Sequence, residues 1–453
     1  MIKLIRSWKD GGHPWQEINP VEFDDNYNRD CPTVVVKSGH TYQTHLGFGG
    51  AFTESAAQVV SQCGKDVREE VLRAYFDKET GLGYNLGRLC IHSSDFANGN
   101  YTYIEEGDKD LVTFNLSHEE KWVIPFVKDA CETAGERLKL MAAPWSPPAF
   151  MKSNGEMNHG GTLLEEYRES WANYFVKFIL DMEKRGVKID AISVQNEPEA
   201  IQVWDSLEVS AQEEGVFIVD FLAPALKRAG LGDIKIILWD HNKDRVVPRV
   251  NTAMSIPGVA ENVWGTGYHW YVSDASENLE MLHTMYPDKH IIFTEGCIEL
   301  TNTAMNSKAQ GVAGEWEHGE VYGRNIINDF NHYCDGWIDW NLVLNEQGGP
   351  NHVKNFCEAP VMINRDTQEI MYNASYYYIG HFSRYILPGA KRVFCMNDID
   401  KKFYTTAYEN PDGELIIVIQ NEGKQQKVAF IVDEQGVNLV LPEQSITTCI
   451  IKN

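Results

Sequence analysis

The sequence has no long uncharged apolar run, few cysteines and a shortage of positive charge. No stretch reaches the roughly 18 apolar residues that a membrane-spanning helix needs. The nine cysteines form no Cys-x-x-Cys pair, which argues against a disulfide framework or a thiolate zinc site. Lysine plus arginine number 40 against 65 aspartate plus glutamate, so the net charge is −25. Such a surface repels phosphate backbones and anionic lipids, and we expect neither a nucleic-acid nor an integral membrane partner.

The N-terminus shows no targeting segment either. Its first apolar run is interrupted by Lys3 and Arg6, and no small-residue cleavage site follows. Together with the scattered cysteines, this predicts a cytoplasmic protein with reduced thiols. The remaining composition, with 43% hydrophobic and 23% charged residues in a chain of 453, is typical of a globular protein with a large core. A neutral substrate suits the acidic surface better than a polyanion.

Eight short apolar runs alternate with longer amphipathic stretches between about residues 46 and 385. The alternation predicts parallel strands joined by helices, and eight such units favour an α/β fold of the closed (β/α)8 TIM-barrel type. The predicted strands are 46–50, 84–90, 138–143, 189–195, 234–239, 263–268, 290–294 and 336–341. The predicted helices are 54–76, 118–134, 165–185, 207–229, 277–285 and 317–333, of which 165–185 has the clearest three- and four-residue periodicity.

The C-terminal part has a different pattern. From residue 390 it shows only short alternating runs separated by turn signals such as Asn410-Pro411-Asp412-Gly413, which predicts a small antiparallel β-sandwich. The first 45 residues are too few for a core of their own, so we expect them to complete that sheet. The predicted domains are therefore an N-terminal segment 1–45, a catalytic barrel 46–387 and a side domain 388–453.

Two glutamates stand where barrel strands end. Glu197 follows the fourth predicted strand within Asn196-Glu197-Pro198, and Glu295 ends the seventh within Phe293-Thr294-Glu295. Catalytic side chains of such barrels lie at the carboxyl ends of the strands. Two carboxylates at one mouth are what a retaining glycosidase requires, one as acid/base and one as nucleophile. A single strand-end glutamate more often caps a helix, so the pair carries the hypothesis.

These two motifs resemble glycoside hydrolase clan A, and the rest of the chain resembles glycoside hydrolase family 30, the family of glucosylceramidase. The resemblance spans about residues 46 to 390 and implies the same barrel with a β-rich side domain built from both chain ends. The further motifs that carry it are 47–54 (GFGGAFTE), Gly87-Arg88, Asp95-Phe96, 143–148 (APWSPP), 152–155 (KSNG), 269–271 (HWY), 339–341 (DWN), 348–351 (GGPN) and 380–383 (GHFS).

The resemblance implies that Glu197 is the acid/base and Glu295 the nucleophile of a retaining β-D-glucosidase. It also implies that the sugar subsite is lined by Arg88, Asp95, Trp145, Asn196 and Trp340. His269 and Tyr271 would lie near the nucleophile.

Each of these roles makes chemical sense. An ionised Asp95 would accept two sugar hydroxyls, and Asn196 would donate to the 2-hydroxyl. The two tryptophans would offer apolar faces to the sugar ring. Arg88 would keep Glu295 ionised, and the charge of Glu295 would in turn hold Glu197 protonated. Arg88 could instead be a structural ion-pair partner, and His269 a satisfied histidine without substrate contact.

We expect neither a cofactor nor a catalytic metal. The glycines of Gly47-Phe48-Gly49-Gly50 match neither a dinucleotide loop nor a P-loop. No His-Glu-x-x-His motif is present, and Asp240-His241-Asn242 has no evident partner ligands.

The substrate stays open between several glycosides. His352 stands where glucosylceramidases have a tryptophan, and the segments 204–206 and 355–360 resemble a bacterial branch of the family. That branch includes enzymes that act on β-1,6-linked glucans as well as on glucosylceramide. A β-1,6-glucanase, a β-xylosidase or β-fucosidase, and a non-catalytic carbohydrate-binding protein are the alternatives. The sequence predicts no oligomeric state.

Overall fold

Eight parallel strands close into a barrel, which confirms the predicted fold class. The computed structural model describes residues 1–11, 14–24, 26–301, 312–399 and 401–452. Strand Gly336–Asn341 pairs with strand Gly47–Ala51 and so closes the barrel. In chain order, barrel strands one to eight are Gly47–Ala51, Leu86–Ile91, Lys139–Pro144, Ala191–Ser193, Lys235–Asn242, Val263–His269, His290–Glu295 and Gly336–Asn341.

Glycine allows barrel strand one to fit closely beside its neighbours. Gly47 has a φ of 127°, in the left-handed region that side chains disfavour. A Cβ atom on Gly49 would lie 2.3 Å from the carbonyl oxygen of Leu86 in barrel strand two. The glycines of the 47–50 motif therefore allow barrel strand one to pack closely against its neighbours.

Helices cover the outside of the barrel. The α-helices are Glu54–Ser61, Lys65–Phe76, Ser117–Lys121, Val123–Ala134, Arg168–Lys184, Ala211–Phe217, Ala223–Arg228, Val246–Met254, Val259–Asn262, Glu277–Met285, Trp316–Asn331 and Ala374–Ser383. Residues Ile218–Leu222 form a π-helical turn, and short 3-10 turns lie at Ala149–Met151, Glu165–Tyr167 and Lys243–Arg245. In Arg168–Lys184 the predicted apolar face is buried, with Trp171, Tyr174 and Phe178 each at most 2% exposed.

Three of the predicted helices differ from those in the structure. The one predicted over 54–76 breaks at Gly64, which caps the second helix, and the one over 118–134 breaks at Trp122. The one predicted over 207–229 begins only at Ala211, because Ser210 caps it in a capping box with Glu213. In each case a local residue that breaks or caps the helix sets its boundary, although the spacing of apolar residues continues past it.

Both chain ends meet in one nine-stranded sheet, as expected. Its strands are Ile2–Trp8, Gln16–Val21, Thr33–Thr44, Lys391–Asn397, Phe403–Glu409, Leu415–Asn421, Gln426–Val432, Gln435–Leu441 and Ser445–Ile451. The N-terminal strand Ile2–Trp8 pairs along its whole length with Ser445–Ile451. One pairing departs from the predicted antiparallel order, because Thr33–Thr44 runs parallel to Gln426–Val432.

Short strands follow the last two barrel strands. They are Ile298–Glu299 paired with Cys357–Glu358, and Val343–Asn345, Val361–Ile363 and Ile370–Tyr372 in a three-stranded sheet. The nine cysteines are all free thiols, four of them buried. None of the helices in the described ranges has the length and hydropathy needed to cross a bilayer.

His381 joins the barrel to the side domain through hydrogen bonds at both ring nitrogens. Its Nε2 lies 2.9 Å from the hydroxyl of Ser7, and its Nδ1 lies 2.9 Å from that of Thr448. The Thr448 hydroxyl donates to the carbonyl of His381, so it accepts from Nδ1, and Ser7 donates to Nε2. The neutral ring is fully satisfied, and burial lowers its pKa to about 3.

We therefore expect acid to destabilise the chain partly through this ring. The unfolded chain binds a proton here below about pH 6.5 and the folded chain does not, so stability falls as the pH drops from about 6.5 towards 3. The substitution His381→Gln should lower the free energy of unfolding at pH 7, and this loss should be about 2 kcal/mol smaller at pH 5. Urea unfolding at both pH values measures it, and an unchanged penalty would show that the histidine does not contribute.

Candidate active site

The carboxyl ends of the barrel strands surround a cleft of about 570 Å³. This volume is in the range of small-molecule sites. The predicted residues that line it are Asp95, Trp145, Asn196, Glu197, Tyr271, Glu295 and Trp340. The other two, Arg88 and His269, are fully buried and contact the lining residues from behind. The structure thus brings all nine predicted site residues together.

Glu197 is held in place by its own backbone. Barrel strand four ends at Ser193, and the Asn196 N–H then donates to the carbonyl of Pro144 in barrel strand three at 2.9 Å. The Glu197 N–H donates to the carbonyl of Asp240 in barrel strand five at 3.0 Å, and its φ is 47°. A left-handed backbone at a residue other than glycine is a strained conformation that the neighbouring strands impose. From this position the Glu197 side chain lines the cleft.

Glu295, the last residue of barrel strand seven, contacts a cation and a phenol. Nη1 of Arg88 donates to its Oε2 at 2.5 Å, and the hydroxyl of Tyr271 donates to Oε1 at 2.9 Å. Both contacts are hydrogen bonds to the charged form of the carboxylate. Burial, however, raises the pKa of Glu295, and the nearby Glu197 raises it further. The ionised form of Glu295 therefore depends on its cationic neighbours Arg88 and His269.

A chain of polar contacts links the two glutamates. Nη2 of Arg88 donates to Oδ2 of Asp240 at 2.9 Å, and Oδ1 of Asp240 lies 3.1 Å from Nε2 of His269. The other ring nitrogen, Nδ1 of His269, lies 3.0 Å from Oε1 of Glu197. Although burial opposes it, Arg88 and His269 keep the pKa of Asp240 low. The contacts thus run from Glu295 through Arg88 and Asp240 to His269, which contacts Glu197.

His269 changes the expected protonation of Glu197. Burial alone would lower the pKa of its imidazole, but Glu295 and the two hydrogen-bonded carboxylates raise it to about 9. Burial would raise the pKa of Glu197, but His241 and His269 outweigh it and lower that pKa. In the structure the Glu197–His269 pair thus keeps its proton on the imidazole at neutral pH. Sequence reasoning placed His269 near Glu295 and expected a protonated Glu197, because it could not see this contact.

Asp95 also differs in charge from the expectation. Its Oδ2 accepts hydrogen bonds from Nδ2 of Asn351 at 3.1 Å and from Nδ2 of Asn355 at 3.2 Å. Burial raises its pKa to about 8, to which the charge of Glu295 also contributes. The carboxyl is therefore mostly protonated at neutral pH, so it offers a donor as well as acceptors.

Trp145 and Trp340 form a stacked pair at the cleft wall. Their ring centroids are 5.3 Å apart with an interplanar angle of 24°. The guanidinium carbon of Arg88 lies 4.9 Å from the Trp145 ring centroid. Arg88 also donates from Nη2 to Oδ1 of Asn196 at 2.8 Å. This contact fixes the Asn196 amide so that its Nδ2 is left as a donor.

Sequence reasoning missed several residues of the site. Asp240 directly follows the predicted strand 234–239, much as Glu197 follows the predicted strand 189–195, and that position is a usable signal. The sequence shows no evident partner for His241, yet its Nδ1 lies 3.6 Å from Oε1 of Glu197. Three of the site residues could together hold a metal ion, namely Glu197, His241 and His269. Each offers one ligand atom, and the three atoms lie within 4.8 Å of one another. Sequence reasoning also left three further residues unassigned. Trp204 and Asn355 line the cleft, and Asn351 donates to Asp95.

Comparison with known proteins identifies relatives of this architecture. SrfJ from Salmonella typhimurium has a solved structure with a TM-score of 0.93 and 34% sequence identity, and the match covers 100% of both chains. The lysosomal acid glucosylceramidase of Mus musculus is 30% identical over 423 residues, which cover 90% of this chain and 81% of the relative. An endo-1,6-β-D-glucanase of Aspergillus fumigatus is 27% identical over 447 residues, covering 91% of this chain and 86% of the relative.

Family models match both parts of the chain. The glycosyl hydrolase family 30 TIM-barrel domain matches residues 45–386, and the family 30 beta sandwich domain matches residues 389–449. The predicted resemblance is thereby confirmed. The chain belongs to glycoside hydrolase family 30 and is a glycoside hydrolase.

Proposed function

We propose that this chain is a retaining β-D-glucosidase with Glu295 as nucleophile and Glu197 as acid/base. The observation that carries the proposal is the different setting of the two carboxylates within one cleft. Glu295 is hydrogen-bonded to Arg88 and Tyr271, whereas Glu197 contacts His269. A carboxylate fixed by charged and phenolic donors suits attack, and one paired with a proton carrier suits acid–base work.

The first step forms a glucosyl-enzyme. Glu295 attacks the anomeric carbon while the glycosidic oxygen takes a proton from Glu197. The proton held by His269, 3.0 Å from Oε1 of Glu197, is available to keep that carboxyl protonated as the leaving group departs. Arg88 and Tyr271 hold the attacking carboxylate in one orientation.

In the second step Glu197 acts as base. It takes a proton from a water that attacks the glucosyl-enzyme, and β-glucose leaves with Glu295 released. His269, held by Asp240, can receive that proton and return the pair to its first state. The reaction is complete without a net change in protonation.

The glucose itself would lie between the stacked tryptophans and Glu295. The Asn196 Nδ2 would donate to the 2-hydroxyl, a contact that strengthens in the transition state. Asp95, with one donor and further acceptors, would bind hydroxyls at the far end of the ring. The apolar faces of Trp145 and Trp340 would contact the C–H surface of the sugar.

The leaving-group side of the cleft has an apolar rim. We define this rim as Ile201, Val203 and Val272, which follow Glu197 and Tyr271 in the chain and are 60%, 58% and 55% exposed. Exposed apolar residues at a site mouth suit an apolar partner. They support an aglycone with a hydrocarbon part, such as the ceramide named in the relatives, and we propose glucosylceramide as substrate.

A second candidate substrate is a β-1,6-linked glucan. Trp204, which follows Val203 of the rim, also lines the cleft and offers a flat aromatic face on which a second sugar can stack. The relatives that are endo-β-1,6-glucanases support this candidate.

Kinetics on both substrate types tests the proposal. We expect a higher kcat/KM on glucosylceramide than on a β-1,6-linked glucose trimer, because the rim contacts only the hydrocarbon. Ile201→Ser with Val203→Ser should lower kcat/KM on glucosylceramide by about tenfold and leave the trimer little changed.

Val112→Ser is the matched control, since Val112 is 82% exposed and does not line the cleft. A preference for the trimer that the rim substitutions do not alter would favour the glucanase. A preference for nitrophenyl β-xyloside or β-fucoside over β-glucoside would overturn the glucose assignment.

A further inference from the structure

We propose that Glu197, His241 and His269 form an inhibitory binding site for Zn²⁺ on the leaving-group side of the cleft. Two imidazoles and one carboxylate form a ligand set that Zn²⁺ accepts in proteins, usually with a further position open to water. The site uses residues from the ends of barrel strands four, five and six, which meet only in the closed barrel.

Two of the distances between the ligand atoms are close to those around a tetrahedral ion. Oε1 of Glu197 lies 3.0 Å from Nδ1 of His269 and 3.6 Å from Nδ1 of His241. Two ligands at the usual zinc distances and a tetrahedral angle lie about 3.3 Å apart. One ligand atom from each of the three residues lies within 4.8 Å of those of the other two. A small adjustment of side chains that already face one another would therefore complete the geometry.

The groups behind His269 orient it as a metal ligand. Its Nε2 lies 3.1 Å from Oδ1 of Asp240, and that carboxylate is fixed by Arg88 and by the hydroxyl of Thr294 at 2.6 Å. A carboxylate that accepts from one ring nitrogen directs the lone pair of the other toward a metal and raises its basicity. The zinc ion would replace the proton that Nδ1 shares with Glu197.

His241 supplies a ring nitrogen that has no hydrogen-bond partner within the described residues. Its Nδ1 is shielded from solvent and makes no hydrogen bond there. A buried polar atom without a partner costs stability, so a metal bond at this atom would remove a penalty. His241 and Glu197 both line the cleft, which gives an ion a path from solvent.

Zinc at this position would block catalysis. The Glu197 oxygen that protonates the leaving group would be bonded to the ion, so the first step would stop. Only this consequence depends on the proposed function, because ion binding depends on the three ligands alone.

Calorimetric titration of the full chain with Zn²⁺ tests the site. We expect one equivalent bound by the wild type to be lost in Glu197→Gln and in His241→Ala, while Mg²⁺ binds in none of them, since it prefers oxygen ligands. Replacing Zn²⁺ by Co²⁺ should give the visible absorption of a tetrahedral ion in the wild type only. His159→Ala is the matched control, because His159 forms an exposed pair with Glu156 at 2.9 Å.

The outcomes separate the two claims. Zinc binding that is unchanged in both ligand variants, or absent in the wild type, overturns the site. Circular dichroism checks that each variant folds, and His241→Asn repeats the test if His241→Ala does not. Loss of β-glucosidase activity with Zn²⁺ and its recovery with EDTA supports the inhibitory role. Zinc that binds at these ligands without inhibiting would instead contradict the role assigned to Glu197.

Discussion

Replacement of Glu295 by alanine is expected to reduce the turnover of every β-glucoside by about 10⁵-fold. The variant keeps the acid/base but has no group to attack the anomeric carbon, so a better leaving group cannot rescue it. Initial rates on dinitrophenyl, alkyl and lipid β-glucosides measure the loss. Added azide should restore some turnover by direct attack and give the α-glucosyl azide.

Two observations serve as references for this prediction. Glu414→Ala should leave activity unchanged, because Glu414 lies in the side domain and is paired with Lys452 at 2.9 Å. The wild type should release β-glucose first in proton NMR. Residual activity of Glu295→Ala above one per cent, or α-glucose as the first product of the wild type, contradicts the assignment.

Glu197→Ala should affect substrates unequally. An alkyl glucoside needs a proton on its leaving oxygen, so its hydrolysis should fall by about 10²–10⁴-fold. A dinitrophenolate leaves without help, so the first step survives and the glucosyl-enzyme accumulates for lack of a base. Stopped-flow measurement should show a burst of dinitrophenol followed by slow turnover, and azide should accelerate that turnover and give the β-glucosyl azide.

The anomer of the azide product separates the two roles. An α-azide from Glu197→Ala together with a β-azide from Glu295→Ala would mean that the assignments are reversed. Glu197→Gln provides a matched variant of similar shape, and it should behave like Glu197→Ala with all three substrate types.

The barrel and its two glutamates could be predicted because their signals are local. An apolar run followed by Asn196-Glu197-Pro198 locates the end of barrel strand four to within a few residues. The apolar run that ends at Glu295 does the same for barrel strand seven. The breaks at Gly64 and Trp122 were missed because the hydrophobic period continues across them.

The electrostatics of the site could not be predicted in the same way. The proton balance of Glu197 depends on His241 and His269, which are 44 and 72 residues further along the chain. Only barrel closure brings them to it, through contacts of 3.6 and 3.0 Å. The raised pKa of Asp95 likewise depends on how completely it is buried, which no motif reports.

The pairing of Ile2–Trp8 with Ser445–Ile451 determines when the side domain can form during protein synthesis. At roughly 5 to 20 residues per second, the first strand emerges from the ribosome roughly 20 to 90 s before its partner. During that time the barrel can close, while Ile2–Trp8 has only the neighbouring strand Gln16–Val21 to pair with on one edge. A nascent chain of this kind has an exposed strand edge for most of its synthesis, and ribosome-associated chaperones are the factors expected to shield it.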